Sequence, residues 1–195
     1  EGINHLVLDV KYGLGSHMKT RTEAHHLAVA IEGVSAAVGL DTRVVLSDMN
    51  QPLGYTVGNA LEVEEAIACL KGNGPQDLID LVCELSGESN ARAVLNSGSA
   101  YETFERMVTA QGGDLSHPYL DVTQKKLAVK ATRSGVVSTC DAYKIGYANV
   151  LLGGGRTTSH SEIHHGVGIR LYHKRDDVIH AGDVLAEVFV SENSE

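Results

Sequence analysis

The chain has 195 residues, enough for one well-packed core or for one domain plus a smaller one. Hydrophobic residues make up 43% and charged residues 21%, an ordinary globular profile, and a net charge of −9 with no Lys/Arg run gives nucleic-acid or membrane-surface binding no electrostatic support. No apolar run approaches a membrane span, no leader-type segment opens the chain, and the three cysteines (Cys69, Cys83, Cys140) lack metal or disulfide spacing, which predicts reduced thiols in a cytoplasmic protein.

The chain lacks an initiator Met, and Glu1–His5 leads at once into the buried-type strand Leu6–Val10. Domains seldom open so abruptly, so a piece of a longer protein is expected. A Gly-punctuated loop follows, from Lys11 to Met18. Thr20 and Glu23 then form a capping box, and Ala24, Leu27, Ala28, Ile31, Val34 and Val38 recur at helical spacing until Gly39. Strand Arg43–Leu46 completes a βαβ unit, which implies parallel pairing. The loop Ser47–Gly58 leads into a helix, Ala60–Leu70, and the end of a strand meeting a helix N-terminus is where open α/β sheets collect ligands.

Two more helices are read from Pro75 to Leu85, ending near Gly87, and from Ala100 to Gln111, with Ser99 and Glu102 as a second capping box. The linker Asp114–Val122, containing Pro118, reads as a domain boundary. Beyond it, Lys126–Thr132 and Gly135–Ser138 alternate as strands across a Ser134-Gly135 turn. Asp141 caps a helix running to Leu152, closed by Gly153–Gly155. Strand patterns follow near Val167–Tyr172, Asp177–Ile179 and Val184–Val190. The expected fold class is α/β: residues 1–118 form part of a mixed or parallel sheet with packed helices. A small α+β, β-rich, barrel-sandwich-like module over residues 119–195 follows.

Several motifs in order carry a family resemblance across nearly the whole chain. Asp9-Val10-Lys11 with Gly13, Gly15 and Met18-Lys19-Thr20 resembles the DVKxGxGAFMKT segment of thymidine and pyrimidine-nucleoside phosphorylases. Asp48-Met49-Asn50-Gln51-Pro52-Leu53-Gly54 and Gly58-Asn59-Ala60-Leu61-Glu62-Val63 resemble that family's DMNQPLG and GNALEV almost letter for letter. Leu70-Lys71-Gly72 with Gly74-Pro75 and Asp77-Leu78, Met107-Val108 with Ala110–Asp114, and Leu151–Arg156 with Val167-Gly168-Ile169 are similar to later family motifs.

The resemblance implies phosphorolysis: a pyrimidine nucleoside and phosphate give the free base and a pentose 1-phosphate. No organic cofactor is implied, with phosphate as co-substrate, a potassium ion as the metal, and a homodimer as the assembled state. The family's KHSTGG-type phosphate clamp and its base-binding Arg, Ser and Lys do not occur in this sequence, so the isolated chain is expected to be inactive. Leu53, Thr56 and Glu65 fall where related phosphorylases bind a monovalent cation, through two main-chain carbonyls and a carboxylate; without the resemblance, Glu65 reads as a solvated helix residue. His17 stands where the family has a Phe lining the base pocket, and reads equally well as a solvated loop residue.

Asp48, at the end of its strand, is the acid candidate. It can instead bond backbone amides of its own loop, although the distant nucleoside-monophosphate phosphorylases use an acid at this point. Lys11 and Lys19 flank the Gly loop and could face an anion or solvent. Glu62 suits its helix N-terminus. His160, His164, His165 and His173 lack zinc spacing, and Gly153–Arg156 lacks the Lys-Ser/Thr of a phosphate loop. Asp176 stands where a KxGDxV-like turn has glycine, and the chain is shorter than relatives between Gly87 and Ala91. Competing readings are a related nucleoside-monophosphate phosphorylase or anthranilate-type phosphoribosyltransferase, a carrier module (for which no carrier-lysine hairpin is present) and a non-catalytic binding remnant.

Overall fold

The computed structural model describes residues 2–116 and 125–191. β1 (His5–Tyr12), α1 (Arg21–Ala37) and β2 (Asp41–Asp48) form the expected βαβ unit, with β1 and β2 parallel from His5↔Asp41 to Tyr12↔Asp48. The Thr20–Glu23 capping box is present in both directions. On α1, Ala24, Ala28 and Ser35 are buried, whereas Leu27, Val34 and Val38 of the expected apolar face are exposed. Two strands span less than 10 Å, too narrow to cover a helical stripe of about 100°.

Thr56–Val57, read from sequence as loop, is β3. α2 (Asn59–Leu70) and α3 (Gln76–Ser86) follow, the latter with Pro75 as its N-cap rather than its first residue and Gly87 as a left-handed C-cap. α4 (Ala91–Ser97) was not expected; it ends on left-handed Gly98, which also precedes α5 (Ser99–Ala110). The Ser99–Glu102 capping box does not form. Ser99 is already helical, and its hydroxyl bonds Ser97 Oγ and the Val94 carbonyl in the tight α4–α5 corner. The Pro118 boundary lies outside the described residues.

β4 (Lys125–Lys130) and β5 (Gly135–Val136) do not form the expected hairpin. β4 pairs antiparallel with β8 (Val184–Val190), and β5 with β7 (Val178–Ile179). Backbone bonds from Ala131 to Asp183 and Gly182, and Ser134 Oγ accepting from the Ala181 amide, route the chain between the two sheets instead. α6 (Ala142–Asn149), capped by Asp141, stops before Leu152 and passes into a wider π-type turn, Val150–Gly154. β6 (Gly168–Leu171) completes a four-stranded sheet in the order β3-β6-β8-β4. The module's sheet therefore takes one edge strand from the DMNQPLG side of the chain. Asp176 adopts the left-handed conformation that its place in the turn predicts, with φ 75°.

Leu61, Val167 and Phe189 are the most deeply buried large side chains, where α2 lies on this sheet. Cys140, Ile169 and Leu171 form an adjoining cluster, and Cys69, Ile79 and Leu95 tie α2, α3 and α4 together. Burial, with the charges of Glu65 and Asp77, pushes the Cys69 thiol up to about 11, and burial raises Cys140. The folded-state value exceeds the ordinary 9.0, so neutral Cys69 contributes stability that is present below pH 9 and lost as pH rises toward about 11. Cys69→Ala is expected to lose that alkaline slope in pH-dependent denaturation. In native chain at about pH 8, iodoacetamide should label half-buried Cys83 ahead of Cys69 and Cys140. Equal labelling rates would contradict the burial argument.

Candidate functional site

Three segments meet at the carboxyl ends of β1 and β2. The Gly loop closes on itself, with the Gly13 amide donating to the Met18 carbonyl (2.9 Å) and Ser16 Oγ to the Lys11 carbonyl (2.6 Å). It is tied to the next loop by the Gly15 amide on the Met49 carbonyl (2.9 Å) and the Leu14 amide on Asn50 Oδ1 (3.2 Å). The Asn50 carbonyl in turn accepts from the Ala142 amide at the start of α6 (3.2 Å). Asn50 thus holds three elements in one place.

Asp48 is exposed, and its Oδ1 accepts from the Asn50 backbone amide (2.7 Å) and side-chain Nδ2 (2.6 Å). His17 is exposed on the Gly loop. Lys11 is not available to an anion: its ammonium lies against Asp9 (2.5 Å) and Ser47 (3.1 Å) between the two strands. Lys19 closes the Gly loop by donating to the Ser16 and Leu14 carbonyls.

Leu53, Thr56 and Glu65 converge on one cleft of about 390 Å³, whose walls include Met49, Pro52 and Ala142. One oxygen of Glu65 accepts from the Tyr55 amide (2.8 Å). Burial pushes this carboxyl above its ordinary value, against the opposing pull of the Tyr55 amide, the nearby Thr56 hydroxyl and the Lys174 charge. Thr56 Oγ1 is buried and completes no hydrogen bond of good geometry. A half-buried carboxylate sharing one cleft with Leu53 and Thr56 fits a hard, oxygen-seeking cation. Glu62 accepts from the Gly58 amide (3.0 Å) at the start of α2, as a carboxylate in a first turn should.

Elsewhere, His165 bonds Asn59 and His164 packs over Gly153, and among the described residues no group of three His, Cys, Asp or Glu side chains converges. Gly153, at φ 92°, breaks the helical geometry inside the π-type turn. No helix of the described residues is long and apolar enough to cross a membrane. Sequence reasoning missed Lys174, which is buried against the same loop. It opens the turn that carries Asp176, and nothing in the sequence sets it apart from a surface lysine.

Residues 136–195 match the pyrimidine nucleoside phosphorylase C-terminal domain family. The chain is similar to a thymidine phosphorylase of Mycobacterium tuberculosis (strain ATCC 25618 / H37Rv), 39% identical over 200 residues that cover 98% of this chain and 47% of that protein. It is also similar to a pyrimidine-nucleoside phosphorylase of Staphylococcus aureus (strain NCTC 8325 / PS 47), 41% identical over 206 residues covering 96% of this chain and 48% of that protein. The chain spans about half the length of the curated relatives it matches. The similarity extends over 96–98% of this chain, and the chain is a relative of the thymidine and pyrimidine-nucleoside phosphorylases.

Proposed function

We propose that this chain builds one wall of an active site for pyrimidine-nucleoside phosphorolysis. A phosphate oxygen attacks the sugar C1′ as the bond to the base breaks, and the electron pair leaves with the base, giving a pentose 1-phosphate and a free pyrimidine. Negative charge builds on the departing base and needs preorganised donors. The reading is carried by the identity to named thymidine and pyrimidine-nucleoside phosphorylases across 96–98% of the chain. Convergence of Leu53, Thr56 and Glu65 on one cleft supports a monovalent-cation rim beside it.

Within this reading Leu53, Thr56 and Glu65 would hold a potassium-like ion, which would supply positive charge beside the 52–57 loop. His17 lies on the base side. Asp48, the acid candidate, holds Asn50 through Oδ1, so a proton would be carried on Oδ2.

The complete protein is expected to release thymine or uracil from thymidine, uridine or deoxyuridine only when phosphate is present. No phosphate-dependent release would overturn the proposal. The 195 residues alone contain no KHSTGG-type clamp, so they are expected to show no turnover. Glu65→Gln in the complete protein should weaken apparent affinity for KCl about 10–100-fold, the range for perturbed metal shells. An unchanged KCl dependence would remove Glu65 from the rim.

A further inference from the structure

Lys174 is 6% exposed, the one charged residue buried to that degree among the described residues. An ammonium taken from water must be repaid by hydrogen-bond partners. Its Nζ donates to the Pro52 carbonyl (3.0 Å) and Asp77 Oδ2 (2.5 Å) and lies 4.5 Å from the centre of the Tyr55 ring. Lys174 follows Pro52 by 122 residues and belongs to the turn between β6 and β7. That turn is itself fixed: the Lys174 amide donates to Asp177 Oδ2 (2.7 Å), and the Arg175 amide to Gln51 Oε1 (3.1 Å).

The same Asp77 oxygen accepts from the Gly54 amide (3.3 Å), and the next amide, Tyr55, holds Glu65. The contacts form one path: the C-terminal turn, Lys174, Asp77 and Pro52, the loop, and then Glu65. We propose that Lys174 is a positioning residue for the cation rim. Its ammonium holds Pro52–Tyr55 from the C-terminal side, so that Leu53 and Thr56 keep facing Glu65. What the rim does rests on the proposed function; the strut itself does not.

A methionine would roughly fill the space but would take the ammonium donor from the Pro52 carbonyl and from Asp77 Oδ2, leaving that oxygen the longer bond from the Gly54 amide. In native chain, Lys174→Met is expected to speed hydrogen exchange of amides in residues 50–57 about 10-fold or more, as loss of a buried polar partner should. Amides of β1 and β2 should keep their protection. Unchanged exchange in 50–57, or a uniform rise across the chain, would overturn the proposal. Asp77→Asn removes the ionic partner without a cavity and should loosen the same segment less. It decides the matter if Lys174→Met does not fold.

In the complete protein, Lys174→Met should also raise the KCl concentration for half-maximal activity. Leu95→Ala, in the separate Cys69–Ile79–Leu95 cluster, should lower stability without that shift. A loosened loop with an unchanged KCl requirement would overturn the positioning role. Absence of phosphorolysis in the unsubstituted protein would instead sink the proposed function, while the exchange result still decides the strut.

Discussion

Gly54→Ala is expected to cost about 2–3 kcal/mol of stability and to uncouple the 52–57 loop from Glu65. Gly54 has φ 67°, where an L-residue is strained, and a Cβ there would overlap the Glu65 carboxylate. The backbone can accept the strain only if Glu65 swings away, and that breaks its bond to the Tyr55 amide. The carboxylate would also leave the cleft it shares with Leu53 and Thr56. In the complete protein this variant should therefore reproduce the weakened KCl response of Glu65→Gln.

The two substitutions act on one contact, so their stability losses should be less than additive in a double-mutant cycle read by urea denaturation. Strict additivity would mean that Gly54 and Glu65 do not meet as described. The comparison also separates backbone strain from the lost contact, since Glu65→Gln leaves the φ of Gly54 untouched.

The βαβ unit, the Thr20 capping box, the ends of α2 and α3 and the left-handed Asp176 turn were all legible in the sequence. Each is decided by local periodicity, a cap or a turn position. The strand failures share a cause: pairing partners distant in sequence. Lys125–Lys130 alternates as a hairpin arm would, yet its partner is Val184–Val190. Thr56–Val57 is too short to register as a strand until Ile169 and Arg170 arrive opposite it. Leu27, Val34 and Val38 have the spacing of a buried face, but β1 and β2 do not cover them.

At the site, the resemblance named Leu53, Thr56 and Glu65, and no periodicity could have done so. Lys174 was invisible for the opposite reason. An isolated lysine reads as surface charge, and only its burial against Pro52, Tyr55 and Asp77 sets it apart.

Phe189→Ala is expected to destabilise the chain by about 3–5 kcal/mol, the usual range for a buried aromatic truncated to alanine. In a protein of this size that lowers Tm by roughly 6–20 °C. Phe189 is 1% exposed near the end of β8, between Lys126 on β4 and Gly168 on β6. Gly168 has no side chain to fill the space. A Cβ there would meet Leu61 Cδ1 at 2.6 Å and the Val57 carbonyl oxygen at 2.6 Å, so that face of the sheet is closed by α2 rather than by its own residue. Phe189 and Leu61 are thus the two large groups around a glycine that cannot be enlarged, and removing one leaves a cavity that its neighbours cannot easily close.

The Lys126 ammonium (5.1 Å) and the Arg170 guanidinium (5.4 Å) also lie near the Phe189 ring. Such contacts are worth about 0.5–1 kcal/mol each at partly exposed sites, less than the cavity. Phe189→Leu keeps most of the volume and removes the ring, so packing predicts that it recovers most of the loss. If Leu proves as damaging as Ala in thermal denaturation, the cations over the ring dominate and the packing account of this core is wrong. If Leu rescues, α2 is seated by volume alone, and with it Glu65, one helical turn beyond Leu61 on the same element.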